Sequence, residues 1–80
     1  MSNIAIYKTA FVDTFQIAEG ELDNLAYQAV ETWDSLGHMQ LMTELEEKFD
    51  IEMDIDDIVE FSSFAKGKEI LGKYGVALEA

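Results

Sequence analysis

The sequence predicts an all-α protein, a small four-helix bundle of three main helices and one short one. Two observations carry that reading. Apolar residues recur at three- and four-residue steps in separate stretches, the spacing that lines one face of a helix. The one segment that alternates acidic and aliphatic residues, from Asp50 to Asp56, has no second strand in the chain to pair with.

The first helix is marked by Ile4, Tyr7, Phe11 and Phe15 on one face, with Ser2 or Asn3 as its cap and an end by Ile17. From Glu19-Gly20 to Trp33 the pattern is less regular. Leu22, Leu25, Ala26 and Tyr27 allow one short turn in what is otherwise a long ordered loop, a feature that is uncommon in small domains and often functional. Asp34-Ser35 opens a second helix to about Phe49, whose later part, Met39 to Lys48, holds no glycine or proline. Its inward stripe is Leu41, Met42, Leu45 and Phe49, and Glu44 precedes Lys48 in the favourable ion-pair order. A linker then leads to a short helix around Asp56 to Glu60, with Asp54 or Asp56 near its start. Ser62 or Ser63 caps the last helix, in which Phe64, Gly67, Ile70, Leu71 and Tyr74 share a face and after which Gly75 is the stop.

Eighty residues make one domain, read as residues 1 to 80, with room for a modest core and not for a deep catalytic cavity. There are no cysteines, which excludes a disulfide framework, thiolate metal ligation and a cysteine nucleophile. Five lysines against seventeen acids give a net charge of −12, which disfavours nucleic acid and anionic membrane surfaces and favours basic partners. Nine of those acids lie between Glu44 and Glu60, where Lys48 is the one base. Such a run is ordinarily a solvated face. No secretory signal or membrane-spanning stretch is evident, so a cytoplasmic monomer without membrane insertion is the expectation.

Trp33-Asp34-Ser35-Leu36-Gly37-His38-Met39-Gln40-Leu41, followed by Leu45-Glu46-Glu47-Lys48-Phe49-Asp50, resembles the acyl carrier protein family. Its members present Asp-Ser-Leu at the head of an acidic second helix. The likeness extends through Asp56-Asp57 and Phe61-Ser62-Ser63, covering residues 33 to 74 well and the first helix only by pattern. The resemblance implies a non-enzymatic carrier with 4'-phosphopantetheine attached covalently to Ser35. A phosphopantetheinyl transferase, using its own Mg²⁺, would attach the arm, and an acyl- or aminoacyl-loading enzyme would charge it. Downstream synthases or transferases with basic docking patches would receive the cargo. It also implies partner recognition by Asp34, Leu36, Met39, Glu44, Glu47, Asp56 and Asp57. Without the resemblance, Ser35 and Asp34 are each ordinary helix-capping residues, and Leu36 and Met39 are equally good core residues. An apolar cargo would shelter near Leu41, Met42, Leu45, Ile58 and Phe64. Carriers of primary fatty-acid synthesis usually have acids at the positions of Gly37 and Gln40, so the resemblance points to a specialised pathway such as polyketide, nonribosomal-peptide or cell-surface chemistry. Gly37 is expected to weaken the first turn, and His38 to be a surface residue or a modest partner contact.

Four other readings compete. An esterase with Ser35 as nucleophile and His38 as base lacks the first glycine of Gly-x-Ser-x-Gly, which is Trp33 here. A calcium loop counted from Asp50 fails at its sixth and twelfth positions, Ile55 and Phe61. An aminoacyl or peptidyl carrier of the same fold, or an unmodified acidic helical adaptor, shares the charge and the helices.

Overall fold

The computed structural model describes residues 2–78. Helix α1 (Asn3–Phe15) starts where the Ser2 hydroxyl accepts the Ala5 amide and ends at Gln16, whose left-handed backbone turns the chain out of the helix. Its inward face is Tyr7, Ala10, Phe11 and Phe15. The long loop contains one 3₁₀ turn, Glu19–Glu21, and lowers Leu22, Leu25 and Trp33 into the core. Helix α2 (Ser35–Phe49) buries Leu41, Met42 and Leu45 of the stripe its spacing predicts, leaves the fourth member, Phe49, partly buried, and ends at left-handed Asp50.

No strand forms between Asp50 and Asp56: an extended linker runs instead into α3 (Ile55–Glu60). Glu46 holds that linker by accepting the Met53 amide at 2.9 Å. Helix α4 (Phe64–Lys73) is capped by Ser63, whose hydroxyl accepts the Lys66 amide at 2.9 Å.

Six aromatic rings, Tyr7, Phe11, Phe15, Trp33, Phe61 and Phe64, fill the centre with almost no exposure. They meet edge-on or offset, as when Phe15 stacks on Trp33 at 5.0 Å and Phe11 meets Phe64 edge-on at 5.1 Å. The Tyr7 hydroxyl donates to the Phe64 carbonyl at 2.7 Å, and burial pushes the phenol far above its ordinary range, so it stays a donor. Gly67 lets α4 come this close: a Cβ there would lie 2.2 Å from both the Phe61 ring and the Tyr7 oxygen.

The loop is fixed along its length. Leu25 accepts the Phe64 amide and Ser62 the Tyr27 amide, and the Thr32 hydroxyl donates to the Phe15 carbonyl at 2.8 Å. These bonds carry the chain from the end of α1, across the entry to α4, to the head of α2.

Candidate functional site

At the head of α2 the capping role belongs to Asp34. Its carboxylate accepts the Gly37 amide at 2.9 Å and its carbonyl the His38 amide at 2.8 Å. Ser35 is therefore the first residue inside the helix, and its exposed hydroxyl has no capping role. The Tyr27 hydroxyl lies 3.3 Å from it. The amides of Ser35 and Leu36 have no intrahelical acceptor, as at any helix start, and point with the helix dipole toward the N-terminal end.

Gly37 corrects an expectation. It is buried, and a Cβ on it would sit 2.0 Å from the Thr32 carbonyl oxygen and 3.2 Å from the Phe15 ring. The missing side chain, read from the sequence as a weak point in the helix, is what lets the loop cross the first turn of α2.

His38 is not a surface residue but half-buried, with both ring nitrogens engaged. The Trp33 indole donates to Nδ1 at 2.9 Å, and Nε2 lies 2.7 Å from the Ile58 carbonyl oxygen on α3. An indole N–H can only donate, so Nδ1 is the acceptor and Nε2 carries the proton. The ring stacks on Trp33 and meets Tyr27 and Phe61 edge-on.

Beside Ser35 opens a groove of about 330 Å³ between α2 and α3, walled by Tyr27, His38, Met39, Ile58, Val59 and Phe61. The sheltering region expected from the sequence is displaced. Leu41, Met42, Leu45 and Phe64 lie in the closed core, and only Ile58 of that set reaches the groove. The large exposed apolar residues among those described are Tyr27, Leu36, Met39, Ile55 and Val59, all from the loop before α2, the first turns of α2, or α3. Leu36, at 69% exposure, is not a core residue, and neither is Met39 at 50%.

The acids expected to meet partners divide. Glu47 and Asp56 are exposed and Glu44 half-exposed. Asp57 is buried, against the expectation of a surface acid: it accepts Lys73 Nζ at 2.6 Å and the Tyr74 hydroxyl. Those two hydrogen bonds hold its carboxyl below the ordinary carboxylate range and raise both partners. Asp57 fastens α3 to α4 and is withdrawn from the surface.

Sequence reasoning passed over Tyr27 and misjudged Gly37 and His38. The lone glycine in the first turns of a helix and a tryptophan five residues before a histidine were the available signals.

The family model described as phosphopantetheine attachment site matches residues 33–66, a span that runs from Trp33 through α2 and α3 into α4. That match supports a carrier protein of the acyl carrier family, in which such a segment is the site of covalent 4'-phosphopantetheine attachment. No curated protein and no solved structure matches it. The residues present fit such a group: one exposed hydroxyl free of capping, the positive end of a 15-residue helix and an apolar groove meet at one place.

Proposed function

We propose that Ser35 is the residue modified, and that the chain is an acyl carrier presenting its cargo to biosynthetic enzymes across the face formed by α2 and α3. The observation that carries the assignment is the division of labour at the head of α2, where Asp34 caps the helix and the neighbouring serine hydroxyl is left exposed. Carrier domains of this family are generally non-catalytic and work through modifying and synthase enzymes. When attached, the arm supplies a terminal thiol able to carry acyl groups as thioesters, chemistry that a cysteine-free chain otherwise lacks.

The chain's own residues do the rest. The open amides of Ser35 and Leu36 and the helix dipole favour a negative phosphodiester at residue 35. Leu36, Met39, Ile55 and Val59 give partners exposed apolar contacts, and Glu44, Glu47 and Asp56 on the same two helices add negative charge that attracts basic surfaces. The apolar lining from Met39, Ile58, Val59 and Phe61 favours an acyl over an aminoacyl cargo.

The test is intact mass before and after incubation with a broad-specificity phosphopantetheinyl transferase, coenzyme A and Mg²⁺. The parent chain gains one phosphopantetheine and Ser35→Ala gains none. Folded, initially unmodified protein that gains no mass would be an acidic adaptor instead.

A further inference from the structure

The chain has one tryptophan and one histidine, and they are hydrogen-bonded to each other. The same imidazole makes the one side-chain hydrogen bond between α2 and α3 among the described residues, from Nε2 to the Ile58 carbonyl. Its position in the wall of the groove beside Ser35 gives that link a consequence beyond packing.

We infer that His38 is a proton-sensitive positioning residue: in its neutral Nε2–H form it pins α3 against α2 and sets the shape of the groove, and a second proton releases the pin. The proton would go on Nδ1, which then becomes a donor aimed at the donor N–H of Trp33, with no acceptor between them. One of the two rings must move. Trp33 has no exposure and is wedged between Phe15, stacked at 5.0 Å, and Phe11, edge-on at 5.6 Å. His38 has an open side toward the groove, so the imidazole yields, and in turning outward it gives up Ile58.

Among the described residues no carboxylate pairs with the imidazole to hold a cationic ring in place. The loop contributes Tyr27 and Trp33, and α3 and its exit contribute Ile58 and Phe61. At the head of α2, the Asp34 carboxylate is bonded to the Gly37 amide, and on α3 Asp57 is bonded to Lys73 and Tyr74. Among the described residues the ion pairs are Lys8–Glu19 and Lys73–Asp57, and neither involves His38. α3 keeps its attachment to α4 through Asp57, so release opens its α2 side and leaves the bundle folded. The effect on partner enzymes rests on the carrier reading; the pin itself does not.

The experiment uses the unmodified full chain, so that failure of the pin is distinguishable from failure of Ser35 to accept the arm. Nitrogen NMR of the imidazole and of the indole N–H, together with amide exchange over residues 55–62, is followed from about pH 8 to about pH 5. The expected result is a proton on Nε2 and a bare Nδ1 at the alkaline end. On acidification the indole resonance should shift away from its hydrogen-bonded position. Exchange in α3, corrected for its intrinsic pH dependence, should rise about fivefold, the loss of one hydrogen bond, while the helical circular dichroism is retained. His38→Gln places an amide within reach of Ile58 but does not titrate, so its α3 exchange should be flat over the same range. A neutral ring protonated on Nδ1 would overturn the inference, as would an imidazole that titrates without moving the indole signal or the α3 amides. The same acid response in His38→Gln would also overturn it.

Discussion

Asp34→Ala and Ser35→Ala should behave in opposite ways although the residues are neighbours. Removing the Asp34 carboxylate leaves the Gly37 amide without its acceptor and should cost about 1 kcal/mol, read as a lower urea midpoint. Ser35 caps nothing and is exposed, so its replacement should stay within about 0.5 kcal/mol of the parent while abolishing modification. Equal losses of stability would mean that the serine shares the capping role. The sequence made Ser35 legible as the residue to examine, because Asp-Ser-Leu before a strong apolar stripe marks a helix start. It did not divide the two jobs, since both side chains are good caps and only backbone geometry chooses between them. Gly37 and His38 were misjudged for a related reason. The Thr32 carbonyl against Gly37 and the Tyr27 and Trp33 rings against His38 come from the loop, whose path over α2 has no periodic signal.

At the scale of elements, the helices were the legible part, since a 3.6-residue period both defines a helix and selects its buried face. The first helix, the second and the last bury most of the residues their spacing marks, and the outermost of each set, Ile4, Phe49 and Tyr74, are partly buried against the core. The short α3 was harder. In an alternating run of acids and aliphatics, nothing local tells Asp56, which is exposed, from Asp57, which is turned inward onto α4. The burial of Asp57 makes a pH-dependent prediction. Its carboxyl is held below the ordinary range by Lys73 and Tyr74, so the folded state favours the charged form. That stabilisation is complete above the ordinary carboxylate value of about 3.9 and is lost as pH falls through the lowered folded value. Asp57→Asn should therefore melt below the parent at neutral pH, with the gap closing in strong acid. A gap that is constant with pH would assign the difference to packing alone.

Over the whole molecule the net charge of −12 acts on both folding and encounter. Self-repulsion should make the melting temperature rise between about 0.01 M and about 0.15 M salt, as the screening length shrinks from roughly 30 Å to roughly 8 Å. On the face formed by α2 and α3, reversing Glu44, Glu47 and Asp56 to lysine should slow priming by the transferase about tenfold at low salt. That difference should narrow as salt is added, which a rate series across ionic strength would read. Rates unchanged at low salt would remove the acidic rim from docking. The charge itself was plain in the composition. That it shares α2 and α3 with exposed apolar side chains was not, because Leu36 and Met39 fit a core as well as a surface until the aromatic residues of α1, the loop and α4 are seen to fill the interior.

The Asn3 side chain donates to the Ala77 carbonyl at 3.0 Å, so both ends of the described chain meet at one pole. Ser35 lies at the other, beside the end of α1, where Thr32 is bonded to Phe15. Thirteen residues of helix separate the two poles, about 20 Å. A dye or a surface tether joined beside Asn3 or Ala77 would therefore stand about one helix length from the serine.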